Sequence, residues 1–224
     1  MIVTPSPVRQ PKPGSVAELK DLHKEVPHPV HKNANQIGAT TLLEIDSQAV
    51  TISPCEDTDA ATISEWWQSQ HIDGLFLPYP RLAKIGRTSI QLDAVTQYLN
   101  FCRKTGDANP YLVRIDNRSF GYLETYQSTH SPLTPHPAIS TTDRGIHFMI
   151  GDPRHIQQGW GTRILTRVAD MLFDTHADMG QIMAEPLDIN TRTKQLCTRI
   201  GLAEIGRIDI GHRVSRLYVL GRGQ

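Results

Sequence analysis

One histidine, His147, stands on a short apolar stretch that leads into the glycine-bearing run Gln157-Gln158-Gly159-Trp160-Gly161-Thr162. An imidazole titrates near neutrality, so it can take or give a proton under ordinary conditions. The glycines offer a different chemistry. They precede Ile164, Leu165, Val168, Met171 and Leu172, which recur at helical spacing. The first-turn N–H groups of such a helix lack intrahelical acceptors and lie at the positive end of its dipole. Glycines at that mouth admit close backbone approach, which makes a candidate site for a pyrophosphate or similar anion. Spacing alone equally allows a plain glycine-capped connection. A third group is Tyr122, Glu124 and Tyr126, which share one face of a strand. Beside a cleft, that face suits a cationic amine through charge and cation–π attraction; otherwise it is an exposed strand face.

The elements that must position these groups are legible. A strand over residues 145–150 puts His147 and Met149 on one face and Ile146, Phe148 and Ile150 on the other. Gly151-Asp152-Pro153 ends it. Upstream, residues 40–45 and 49–53 read as short strands and 60–70 as a helix entered through Glu56-Asp57-Thr58. Trp66 and Trp67 lie inside that helix and diverge by about 100°, so one indole belongs to the core and the other is free to line a cleft. Residues 74–86, with Pro78 and Pro80, form an irregular crossing. Ser89 caps a helix with Leu92, Val95, Tyr98, Leu99 and Cys102 as its buried stripe and Gly106 as its stop. Residues 111–116 and 119–126 form a hairpin, and the proline-bearing stretch 127–142 a long loop. A strand over 181–185, a helix over 191–200 capped by Asn190 and stopped by Gly201, and a hairpin around Gly211-His212 complete the chain. Asp188, just before that helix, complements its positive end or belongs to the site.

The 224 residues suffice for one sizeable core plus a tail. Residues 1–37 carry Pro5, Pro7, Pro11, Pro13, Pro27 and Pro29 and read as a proline-rich arm, with room for a short helix over 17–25. The catalytic domain is expected over residues 38–224. Histidines 23, 28 and 31 of the arm lack neighbouring acidic or cysteine ligands, so no metal site is expected. Lys plus Arg and Asp plus Glu are both 23, and the resulting zero net charge gives no field for nucleic acid. Cys55, Cys102 and Cys197 form neither a disulfide framework nor a zinc spacing. No apolar run reaches a membrane span and the N-terminus has no signal-peptide core, so a cytoplasmic protein with reduced thiols is expected. A homodimer is left open.

The run from Gly145 to Thr162 resembles the acyl-coenzyme A-binding core of the GCN5-related N-acetyltransferases (GNAT superfamily). Their loop usually reads Arg/Gln-x-x-Gly-x-Gly/Ala; Gly159 and Gly161 match it, and Ile156 departs from its first position. Gly145-Ile146-His147 and Gly159-Trp160-Gly161-Thr162 are most similar to the siderophore-biosynthesis branch, which acylates hydroxylysine, hydroxyornithine or lysine side chains. The strand Gly121-Tyr122-Leu123-Glu124-Thr125-Tyr126 looks like that branch's Gly-Tyr-x-Glu-x-Tyr. The resemblance extends more weakly from about Thr51 to the C-terminus.

It implies an α/β fold, a mixed and mostly antiparallel twisted sheet flanked by helices, and acetyl-CoA or another acyl-CoA as co-substrate. The N–H groups from Gln157 to Thr162 would hold the pyrophosphate, with Asn190 also at the cofactor. Those around Met149 and Ile150 would face the thioester carbonyl. His147 would be the general base and Asp188 its weaker partner, because Leu187 fills the usual aspartate slot one place earlier. Trp67, His71, Glu124 and Tyr126 would line the acceptor site. Cys197 stands where many members carry a tyrosine acid, so that acid is missing. The implied reaction is N-acylation of an amine or hydroxyamine of a lysine- or ornithine-type diamine. Aminoglycoside or polyamine acetylation, and a non-catalytic CoA-binding regulatory domain, are the rivals. Acidic groups lining the acceptor cleft would favour the first rival and an occluded cleft the second.

Overall fold

The computed structural model describes residues 40–72, 75, 91–131, 133, 136–209 and 213–223. The expected arm with its histidines and short helix, most of the 74–86 crossing, the Ser89 cap and the Gly211-His212 turn lie outside the described residues.

Alternating and β-branched segments pair into one sheet. Its strands are β1 (Thr41–Ile45), β2 (Gln48–Pro54), β3 (Asn109–Ile115), β4 (Arg118–Gln127), β5 (Arg144–Ile150), β6 (Gln181–Ala184), β7 (Ala203–Asp209) and β8 (Val214–Gly221). Their order is β1-β2-β3-β4-β5-β6-β8-β7. All pairs are antiparallel except β5 with β6. The hairpin turns Asp46-Ser47 and Asp116-Asn117 have positive φ at both positions, the conformation that two-residue hairpin loops require. Asp116, expected both to end the strand and to open the turn, belongs to the turn alone.

Helices cover both faces. On one, α1 (Ala60–Trp67) and α2 (Leu92–Thr105) bury Ile63, Trp67, Val95, Tyr98 and Leu99 against Leu112, Tyr122 and Met149. On the other, α3 (Trp160–Thr175) lays Ile164, Leu165, Val168 and Leu172 on Phe120, Leu123 and Ile146. The helix α4 (Thr191–Arg199) packs against α3, and Asn190 Oδ1 caps it by accepting from Thr193 N–H at 3.1 Å.

Two details differ from the sequence expectation. Helix α1 stops at Trp67 instead of Gln70. Leu92, expected on the buried stripe of α2, is exposed at its first residue, and Ala94 takes the buried place.

Candidate active site

The cleft arises where β5 and β6 part. Their parallel pairing spans only Arg144↔Ile182 and Gly145↔Met183, and beyond it the strands diverge. On its other edge β5 stays paired with β4 along its whole length. Gly151 N–H donates to Phe120 C=O at 2.9 Å, so Gly121↔Ile150 is a pair that does not exchange hydrogen bonds. By alternation, the N–H groups of Phe148 and Ile150 point away from β4 toward the opening, and that of Met149 is turned to Tyr122. Met149 and Ile150, both expected to offer N–H groups here, therefore differ: the Met149 N–H is used within the sheet, while those of Ile150 and Phe148 lie on the open edge. His71 Nε2–H donates to Ile150 C=O at 3.1 Å and lines the same cleft of about 490 Å³.

The mouth of α3 forms the next wall. Gln157 and Gly159 both have positive φ, 65° and 78°, which turns the chain sharply into the helix. Ile156, Gln157, Gly159, Gly161 and Thr162 line the cleft. The first-turn N–H groups have no intrahelical acceptors, a geometry able to take an anion without any side chain, so Ile156 in the Arg/Gln slot removes one donor and leaves the backbone arrangement intact. Gly161 answers to packing as well, since a Cβ there would meet Leu196 of α4 at 3.2 Å. The indole of Trp160 is buried edge-on to Phe120 with the Arg163 guanidinium over it, so only its backbone is offered to a ligand. Gln158 turns its amide onto Arg154 C=O at 2.6 Å and does not line the cleft. Asn190 does, while its Oδ1 caps α4.

On the other face of β5, His147 lies directly opposite Glu124, as Gly145 does opposite Tyr126. The His147 side chain is 24% exposed, against 1% for Glu124 and 3% for Glu185. Its Nδ1 is 3.1 Å from Glu124 Oε1 and its Nε2 is 3.2 Å from Glu185 Oε1. Carboxylates only accept, so both ring nitrogens are placed to donate and the imidazolium is the matched form. Burial pulls this imidazole down, but the charges and hydrogen bonds of Glu185 and Glu124 prevail and raise it above its ordinary value of 6.5. Burial would raise the Glu185 carboxyl, yet His147, Arg213 and the Tyr126 hydroxyl bring it down to about 2. Tyr126 O–H donates to Glu185 at 2.7 Å, and the Tyr98 and Tyr122 hydroxyls both donate to Glu124 Oε2. Gly145 is required by this network, because a Cβ would fall 2.1 Å from the Tyr126 ring.

Several expected site residues lie elsewhere. Glu124 and Tyr126 are fully buried and do not line the cleft; they act on it through His147 and Glu185. Trp67 is also buried, packed edge-on against Tyr98 and Tyr122 at 5.8 and 5.7 Å. Trp66 is no cleft wall either, since its ring occupies the space beside Gly151. Asp188 does not line the cleft. Its carboxylate is taken by Arg216 at 2.6 Å, with Arg207 and Lys194 nearby, and these cations lower its pKa. The carboxylate that approaches His147 Nε2 is Glu185, at 3.2 Å. Its signal was present: Glu185 follows a strand parallel and adjacent to β5, which brings it level with the histidine. Cys197 is buried, and burial pushes its thiol up to about 12, so it is a core residue and a poor acid. Among the described residues no group of three His, Cys, Asp or Glu could hold a metal ion, and no helix is long and apolar enough to cross a membrane.

A splayed parallel strand pair with an open N–H edge, ending on a glycine-flanked helix mouth, fits an extended thioester carrier with a pyrophosphate at one end. Residues 56–210, well over half of the chain, match the family model described as an acetyltransferase (GNAT) domain. The chain is 26% identical over 182 residues to lysine N-acyltransferase MbtK from Mycobacterium sp. (strain MCS), covering 80% of this chain and 70% of that protein. It is 23% identical over 108 residues to N-hydroxyputrescine acetyltransferase from Acinetobacter baumannii, covering 48% and 51%. The fold superposes on aminoglycoside acetyltransferase AAC(6')-Ib crystallised with coenzyme A, with a TM-score of 0.65, 20% identity, and 77% and 95% of the two chains covered. The chain belongs to the GNAT acetyltransferase family. It is an acyl-CoA-dependent N-acyltransferase.

Proposed function

We propose that this acyltransferase moves an acetyl or other acyl group from acyl-CoA to the terminal amine or hydroxyamine of a lysine- or ornithine-type diamine, for hydroxamate siderophore assembly. The observation that carries the reading is His147, partly exposed in the acyl-CoA cleft and held between Glu124 and Glu185. The two relatives, named for acylation of lysine and of N-hydroxyputrescine, support the acceptor class. Charge in the cleft supports it too. Among the described residues its lining holds one carboxylate, Glu185, and the arginines 192, 199 and 213. That suits an acceptor with one reacting amine better than a polycationic aminoglycoside or polyamine.

In this reading the pyrophosphate sits on the α3 mouth and the thioester lies along β5, its carbonyl oxygen facing the Phe148 and Ile150 N–H groups. The amine attacks the carbonyl carbon, the C–N bond forms, and those donors take the developing negative charge. His147 accepts the amine proton. An arriving ammonium lowers the imidazolium's pKa by like-charge repulsion, so the ring first releases a proton to solvent and can then act as a base. Collapse breaks the C–S bond and expels the thiolate, which is protonated by solvent or by the charged His147. Turnover of lysine, N6-hydroxylysine, ornithine and an aminoglycoside with acetyl-, succinyl- and long-chain acyl-CoA tests the assignment. Acylation of the diamine-type acceptors supports it, and acylation of the aminoglycoside alone refutes it.

A further inference from the structure

Arg213 has too few partners for its surroundings. Its side chain is only 11% exposed and it lines the cleft. Its nearest carboxylate oxygen, Glu185 Oε1, is 3.7 Å from Nη2, beyond hydrogen-bond range. Its Nε is buried with no partner among the described residues. Glu185 is already committed, since it accepts from Tyr126 at 2.7 Å through both oxygens and faces His147 at 3.2 Å. Arg216, by contrast, is satisfied by Asp188 at 2.6 Å and Glu204 at 2.9 Å. A guanidinium removed from water with its donor fork unfilled is costly, and the group that fills such a fork is a carboxylate.

We propose that Arg213 is a specificity-determining residue that holds a carboxylate carried by a substrate. The proposal rests on the acyltransferase reading above and names what that reading leaves open. The geometry indicates where the carboxylate comes from. Arg213 and His147 approach the same oxygen, Glu185 Oε1. An acceptor with its amine at His147 therefore needs only a chain of a few methylenes to bring its own carboxylate to the guanidinium. A lysine- or ornithine-type amino acid has that form; its decarboxylated diamine does not. The same chemistry could instead be supplied by the free carboxylate of a dicarboxylic acyl group, such as succinyl.

The test compares wild type with Arg213→Met and Arg213→Lys. It measures kcat/KM for lysine against cadaverine with acetyl-CoA, and for succinyl-CoA against acetyl-CoA with cadaverine. If the acceptor carries the carboxylate, wild type prefers lysine by roughly 10- to 100-fold, the worth of a charge-assisted hydrogen-bonded pair. Arg213→Met then brings that ratio near one, and Arg213→Lys restores part of it. A collapse confined to the succinyl preference assigns the carboxylate to the acyl donor. A merely structural role lowers every rate together and leaves both ratios unchanged, and that result overturns the proposal. Failure of wild type to acylate any of these amines refutes the function reading instead. Calorimetry of lysine and cadaverine on the CoA-loaded proteins then decides the point: equal lysine affinity in wild type and Arg213→Met overturns the role of Arg213.

Discussion

Replacing Glu185 with Gln tests the acid–base network at the carboxylate that lines the cleft. The amide keeps the size of the carboxyl and can still accept from Tyr126, but it removes a negative charge 3.2 Å from His147 Nε2. At an effective dielectric of about 20, unit charges at that range interact by roughly 5 kcal/mol, and each pH unit corresponds to about 1.4 kcal/mol. The partly exposed ring experiences less, so the shift expected is the usual one for a single close countercharge, roughly 1–3 pH units. Its direction is downward. Two carboxylates hold the imidazole above 6.5 against burial; with Glu185 neutral, only Glu124 opposes burial. In wild type the rising limb of kcat/KM against pH should lie above 6.5, because His147 must lose its proton before it can accept one. In Glu185→Gln that limb should move to lower pH, while the plateau rate falls as the ring loses its orienting partner. NMR titration of the imidazole gives the same shift without turnover. A limb and a ring titration unmoved by the substitution would refute the coupling and leave Glu185 a structural acid.

Two other substitutions probe the scaffold. Gly145→Ala forces a methyl against the Tyr126 ring, which is buried and tied to Glu185. It should cost about 1–3 kcal/mol in denaturant unfolding and slow turnover more than it weakens CoA binding; unaltered stability contradicts the packing argument. Gly161→Val crowds both Leu196 and the mouth of α3. It should weaken CoA binding on the order of tenfold by calorimetry, beyond its effect on melting temperature, and an unchanged affinity contradicts the placement of the pyrophosphate.

Much of this was legible in the residues because it is local. Glycine next to a helical stripe marks the α3 mouth, and alternation puts Glu124 and Tyr126 on one face of β4. Positive-φ turns at Asp116-Asn117 close a hairpin where the sequence changes from apolar to polar. The errors came from contacts made at long range. Only the β4–β5 register sets Glu124 against His147 and turns the Met149 N–H inward. Only the β5–β6 splay brings Glu185 to Nε2, and only β8 and the residue just before it deliver Arg216 and Arg213. Asp188 stands one place from the aspartate slot of the resembling sequences, and that step carries it to the arginines instead of the cleft. Trp67 reads as a cleft residue until the phase of α1 and the bulk of Tyr98 and Tyr122 are known.

The most direct test of the account is the turnover of His147→Ala on a primary amine and on its hydroxylated analogue. A primary amine is protonated near neutrality and must lose a proton before attack, whereas an N-hydroxyamine is already largely neutral. With His147 as the base, the variant loses roughly 10²–10⁴-fold on the primary amine and less on the hydroxyamine, with nearly unchanged acyl-CoA affinity. Full activity of the variant on both acceptors throughout the neutral pH range would make His147 a packing residue and contradict the mechanism.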